Sequence, residues 1–198
     1  MKLDFTHDIQ WAYRKILNSM TRPGSVEELK EVANKVDIDI DCYRSTFVIM
    51  LMLLDGEVSF NIVSKDSANI SSIISQITYS KLKPIEEADY IFVMNDSTDR
   101  FLANVYKDAK LGNLVNPNKS ATIIAEFDSF DEGCEIKLNG PGIKNINRIN
   151  ISGNIEWINA RANKNYEYPL GVDAIYIDKN HKVICFPRTT QISEVEGN

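Results

Sequence analysis

Between Val58 and Phe127 the chain alternates short apolar runs with segments of helical period, and this alternation most narrows its possible folds. Val58 to Val63, Tyr90 to Met94 and Ala121 to Phe127 have the length and β-branched or aromatic content of buried strands. Between them, Ile70, Ile73, Ile74 and Ile77 recur at helical spacing, as do Phe101, Leu102 and Val105. Asp55-Gly56 turns the chain into the first run, Ser97 is placed to cap the second helix, and a loop with Gly112, Asn116 and Pro117 leads to the third run. Strands alternating with helices imply a sheet with helices packed on it, an α/β fold.

Near the end, two more apolar runs, Val172 to Ile177 and Val183 to Phe186, flank a polar turn of Asp178, Lys179, Asn180 and His181 and read as a β-hairpin. At the other end, Thr6 to Met20 reads as an amphipathic helix through Ile9, Tyr13, Ile16, Leu17 and Met20, with Thr6 as cap and Pro23-Gly24 as stop. Arg14 and Lys15 fall on its polar side. Ser25 to Val36 supports either a helix, through Val26, Leu29, Val32 and Val36, or a short strand after the Pro-Gly turn. Asp37 to Asp41 alternates acid and isoleucine and fits an edge or loop, and Ser45 is placed to cap a buried helix over Thr46 to Leu54. Glu135 to Leu138 and Ile149 to Ile151 read as strands around the tight turn Asn139-Gly140-Pro141-Gly142. Asn154 to Ala162 is helical around Ile155, Trp157 and Ile158. With no repeat, low-complexity tract or linker, one domain is expected over residues 1–198.

Composition excludes several functions. A net charge of −6 disfavours sequence-independent nucleic-acid binding, which needs a basic face. The longest apolar run, Phe47 to Leu54, is too short to span a bilayer, and Asp4, Asp8 and Gln10 interrupt any signal-peptide core, so a cytoplasmic protein is expected. Three scattered cysteines, Cys42, Cys134 and Cys185, read as buried reduced thiols. The two histidines, His7 and His181, lie near no cysteine or carboxylate pair at ligand spacing, so no metal site is expected.

The phosphate-binding loop, the dinucleotide fingerprint and the G-x-S-x-G elbow are all absent. Two polar features remain. Gly140-Pro141-Gly142 is either a plain turn or a backbone nest for an anion, though proline removes one donor. Arg188-Thr189-Thr190 combines a guanidinium fork with hydroxyls, which suits a phosphate or phosphonate. An antiparallel hairpin also returns Arg188 beside Asp173, so the arginine either fixes that corner or binds an anion there. For a self-sufficient pyridoxal-phosphate transferase, Lys144 or Lys182 would be a Schiff-base candidate, but nothing in the context of either singles it out.

Taken together, Tyr13-Arg14, Leu17, Met20 and Pro23-Gly24, then Leu138-Asn139-Gly140-Pro141-Gly142-Ile143, then Pro169-Leu170-Gly171-Val172-Asp173 and Pro187-Arg188-Thr189-Thr190 resemble the PhnH family, the H subunit of the bacterial carbon–phosphorus lyase system. Gly112, Pro117 and Ser120-Ala121-Thr122 extend the likeness over nearly the whole chain. The resemblance implies a three-layer α/β fold, a mixed sheet with helices on both faces, similar to pyridoxal-phosphate-dependent transferases but without that cofactor. It implies a subunit that acts with the G, I and L components to replace the adenine of ATP by an alkylphosphonate, giving a ribose 1-phosphonate 5-triphosphate. ATP would be co-substrate of the complex, with no tightly bound cofactor. A homodimer joining the G, I and J subunits is likewise implied. No catalytic residue follows from the matched motifs. The candidate ligand or interface set is Arg188, Thr189, Thr190, Asp173, Gly171, Gly140, Gly142 and Arg14. Two stretches depart from the family pattern: Val26 to Cys42, unusually acidic and polar, and the acidic tail from Gln191.

Overall fold

The computed structural model describes residues 3–195. Helix α1 (His7–Thr21) leads to a two-residue strand β1 (Glu27–Glu28), a short helix α2 (Lys30–Ala33) and the buried helix α3 (Arg44–Leu53). Next come β2 (Ser59–Val63), α4 (Ser67–Thr78), β3 (Lys81–Leu82), β4 (Tyr90–Val93), α5 (Asn95–Asp108) and β5 (Thr122–Phe127). The last third holds β6 (Cys134–Asn139), β7 (Asn147–Ile151), α6 (Trp157–Lys164), β8 (Asp173–Asp178), β9 (Lys182–Phe186) and β10 (Gln191–Glu194).

Seven strands form one mixed sheet in the order β1-β9-β8-β5-β4-β2-β3. β8, β5, β4, β2 and β3 are parallel, and β9 runs antiparallel between β8 and β1. Continuous apolar runs are what a sheet buried on both faces requires. Successive residues of these runs enter different cores: Ile91 and Val93 point to the side of α5 and α6, Phe92 and Met94 to the side of α1, α3 and α4. The same alternation divides Ala174 and Tyr176 from Ile175 and Ile177. The fold is therefore mixed α/β with helices on both faces, as the strand–helix alternation and the family resemblance imply. No described helix is long and apolar enough to cross a membrane.

A second, three-stranded antiparallel sheet, β10-β6-β7, packs on the α6 side through Ile136, Leu138 and Ile151. Its strand β10 was not foreseen: Gln191 onward reads as an acidic tail, yet it pairs with β6 from Gln191 opposite Asn139 to Glu194 opposite Ile136. Residues Pro187 to Thr190 are thus a crossover between two sheets.

Ser25 to Val36 holds both the short strand and a one-turn helix; Leu29, Val32, Ala33 and Val36 are buried, whereas Val26, the first residue of the expected helical pattern, is exposed ahead of the strand. None of the three expected cap residues acts as a cap. Asp4 Oδ1, not Thr6, accepts the backbone N–H groups of Thr6 (2.8 Å) and His7 (2.9 Å) at the start of α1. Ser45 lies inside α3, where its hydroxyl meets His181 Nδ1 at 3.0 Å. Ser97 lies inside α5. The start of α3 and the start of α5 share one distant carboxylate: Glu126, 2% exposed on β5, accepts Tyr43 N at 2.7 Å and Asn95 N at 3.1 Å. A cap that far away in sequence leaves no local signal. Cys134 also departs from expectation, since it is exposed at the start of β6 while Cys185 is buried and Cys42 partly so; all three are free thiols.

Candidate functional site

The corner forms where the α6 layer meets the end of the β8–β9 hairpin. The turn closes by His181 N donating to Asp178 O at 2.9 Å, with Asp178 Oδ1 accepting Asn180 N and Lys182 N, both at 2.9 Å. Ala174 then faces Phe186, which leaves Asp173 one step from Arg188 across the ladder. Asp173 Oδ2 accepts Arg188 Nη2 at 2.7 Å, and Oδ1 accepts both Arg188 Nε at 3.3 Å and Arg188 N at 2.7 Å. The remaining fork of Arg188 is used as well. Nη1 donates to Pro117 O at 2.8 Å and to Pro169 O at 3.4 Å. With side chains only 18% and 27% exposed, Arg188 and Asp173 form a bidentate clasp tying the hairpin to two loops.

The other sequence candidates divide by location. Gly171, at φ +137°, lies so close to Arg188 that an added Cβ would sit 3.1 Å from Arg188 Cβ and 2.8 Å from Asn165 Oδ1. Gly140 backs onto the crossover, where a Cβ would meet Thr189 O at 2.9 Å. Gly142 instead abuts Thr21 and Pro23 at the end of α1. Arg14 is exposed on α1, whose buried residues Ala12 and Ile16 belong to the core on the opposite face of the sheet from α6. Asp173, Gly171, Arg188, Thr189, Thr190 and Gly140 are therefore gathered, while Gly142 and Arg14 stand apart.

Beside the clasp opens a cleft of about 480 Å³ lined by Arg188, Thr189 and Thr190, by Ile158 and Arg161 of α6, and by Asn165 just past the end of that helix. Arg161 was missed from the sequence. Trp157 packs edge-on against Tyr176, 5.0 Å between centroids, and fixes α6 against the sheet. One turn later Arg161 is 2% exposed, with Nη1 donating to Thr190 O and Nη2 to Pro187 O, each at 2.7 Å. It forms no ion pair among the described residues, and neither its Nε nor the Thr190 hydroxyl has a partner. The hydroxyls of Tyr106 and Tyr176, 2.7 Å apart, feel its field: burial pushes both phenols up, Tyr176 well above the usual range, while the Arg161 charge pulls the other way. Arg161 is thus a buried guanidinium held by the backbone carbonyls of Thr190, Pro187 and, at 3.5 Å, Phe186, with no carboxylate paired to it among the described residues. The available signal was a charge on the apolar stripe of α6, four residues from Trp157 and three from Ile158.

Asn165 locks the adjoining loop. Its Oδ1 accepts Val172 N at 2.8 Å and its Nδ2 donates to Val172 O at 3.1 Å and Arg188 O at 3.3 Å. Among the described residues no group of three or more His, Cys, Asp or Glu could hold a metal ion. Of the two lysines considered for a Schiff base, Lys144 is exposed, and Lys182 is bound to Asp131 Oδ1 at 2.6 Å. That hydrogen bond raises the pKa of Lys182, the reverse of what imine formation needs.

The family described as "PhnH: Bacterial phosphonate metabolism protein (PhnH)" matches residues 3–193. A curated relative, the "Putative C-P lyase subunit protein HtxG" of Stutzerimonas stutzeri, is 28% identical over 189 residues, covering 93% of this chain and 85% of that protein.

Proposed function

The chain belongs to the PhnH family of bacterial phosphonate metabolism proteins, and from that premise we propose that it is a subunit of a carbon–phosphorus lyase system. As a homodimer it joins the G, I and J subunits, and with the L component the assembly transfers the ribose triphosphate of ATP to an alkylphosphonate. In that step a phosphonate oxygen forms a bond to the ribose C1′ as the C1′–N bond to adenine breaks, and adenine leaves with a proton. The observation that carries the reading is the family match over residues 3–193, reinforced by the relative whose name is that of a C-P lyase subunit.

Within the chain, the cleft beside the Asp173–Arg188 clasp is the proposed site for an oxyanion of one of the two substrates. Thr189 offers a hydroxyl, Thr190 a buried one without a partner and Arg161 an uncompensated charge, while Gly140 and Gly171 let the backbone pack closely behind Thr189 and Arg188. Asp173 and Arg188 serve as the frame. Because Arg188 has spent its fork on Asp173, Pro117 and Pro169, a purely scaffolding role for the clasp is the second reading this geometry favours.

Reconstitution tests both. Complexes with and without this chain are supplied with ATP and methylphosphonate, and adenine release and the new phosphonate ester are followed by chromatography and phosphorus NMR. Product is expected only when the chain is present, and equal rates without it would overturn the assignment. Thr189→Val, which alters the cleft wall alone, should raise the apparent KM for one substrate at unchanged melting temperature. An unchanged KM for both would leave the scaffold reading.

A further inference from the structure

Two loops tied together by Arg188 expose bulky apolar side chains at the corner beside the cleft. Val115 is 86% exposed, Leu114 66%, Tyr166 90% and Tyr168 77%, and half-buried Leu170 lies between the two groups, lining clefts on both sides. Loops usually present polar tips, and a cluster this exposed is the usual mark of an interaction surface. Neither loop is loosely held. Asn113 Oδ1 accepts Val115 N at 3.1 Å and Asn116 N at 2.8 Å, and Leu170 N donates to Glu167 O at 2.7 Å. Arg188 Nη1 then bridges the carbonyls of Pro117 and Pro169, one from each loop. The chain has thus ordered two backbones to hold apolar groups in water, which lowers the entropy lost when they bind.

Charge selects the occupant. Lys107 near the end of α5, Lys164 at the end of α6 and Lys119 just after Pro117 flank these loops along the chain, none with an ion pair among the described residues, in a chain whose net charge is −6. Asp108 and Glu167 are the carboxylates of the same stretches. A two-fold contact with a second copy would bring two patches of the same sign, each with lysines in excess of carboxylates, against one another, which costs affinity. A segment with carboxylates beside apolar side chains meets both halves of the surface.

We infer that the surface formed by Leu114, Val115, Tyr166, Tyr168 and Leu170 docks an acidic, apolar segment of a different subunit of the assembly, with the Asp173–Arg188 clasp as its frame. This rests on the proposed membership of a carbon–phosphorus lyase complex and adds which face is used and what it meets.

The test co-expresses the chain with the G, I and J subunits while carrying a photo-crosslinking phenylalanine at Val115, at Tyr166 or, as a distant exposed control, at Tyr79. Irradiation should join positions 115 and 166, and not 79, to one partner subunit within a peptide rich in Asp or Glu. Lys107→Glu with Lys119→Glu should weaken association at least about tenfold at low salt, with the difference shrinking as salt is added. Crosslinks to a second copy, or an assembled and active complex with no crosslink at either position, would overturn the docking surface while leaving the proposed function standing. A wild-type chain that never associates with those subunits would remove both.

Discussion

Asp173→Ala removes the carboxylate that the corner is built around. Exposed ion pairs contribute about 0.2–1 kcal/mol, and breaking a fully buried pair costs about 3–5 kcal/mol. Side-chain exposures of 18% and 27% place this bidentate pair between those limits, at about 2 kcal/mol, and the lost acceptor for Arg188 N adds about 1 kcal/mol. For a chain of this length each kcal/mol lowers the melting temperature by about 2–4 °C, so Asp173→Ala should melt about 6–12 °C lower. Asp173→Asn keeps one acceptor oxygen and should lose about half as much. A double-mutant cycle with Arg188→Met, read by urea denaturation, isolates the pair and should return a coupling of about 2 kcal/mol. Hydrogen exchange supplies the local readout, since the Val115 and Leu170 amides should exchange faster in either single variant. A coupling below about 0.5 kcal/mol with unchanged exchange at both loops would refute the clasp.

Arg161→Met should cost about 2–4 kcal/mol by stranding the carbonyls of Pro187 and Thr190; methylphosphonate or phosphate should raise the melting temperature of the wild type but not of this variant, and equal shifts would remove Arg161 from the anion site. Glu126→Ala deprives α3 and α5 of their shared acceptor and should cost about 2–4 kcal/mol by chemical denaturation; a loss under about 0.5 kcal/mol would contradict it. Burial lowers the pKa of His181, with Arg44 and Lys30 reinforcing and Asp178 opposing the shift. The unfolded chain therefore binds a proton that the fold resists, so this contribution is present above the ordinary value of 6.5 and is lost as pH falls through and below it. His181→Asn, which tolerates the local φ of +67°, should flatten that acid slope in a pH series of unfolding curves; an unchanged slope would exclude His181 as its source. Gly171→Ala should cost about 1–3 kcal/mol, because φ +137° and the 3.1 Å approach to Arg188 Cβ both oppose a side chain; a neutral effect on melting would count against this packing.

Much of the scaffold was legible because its signals are local. The apolar runs Val58 to Val63, Tyr90 to Met94 and Ala121 to Phe127 became β2, β4 and β5, and the hairpin turn fell at Asp178 to His181. The caps were not legible. Ser45 and Ser97 have the chemistry of caps but fall inside their helices, and Glu126 of β5 serves both helix starts instead. The tail from Gln191 showed too little apolar alternation to announce a strand, and it became one only because β6 offered an open edge.

By itself the sequence determined the α/β class, since period-two and period-3.6 patterns follow from backbone geometry, and it brought Asp173 to Arg188, since an antiparallel hairpin leaves little choice of register. What the corner does was decided by tertiary structure. Pro117 and Pro169 claimed the free fork of Arg188, and α6 delivered Arg161, uncompensated, to the wall of the cleft. Those partners lie 71, 19 and 29 residues away along the chain from the groups they meet. No spacing rule spans such distances, because only the packing of layers sets which distant backbone carbonyls and side chains become neighbours.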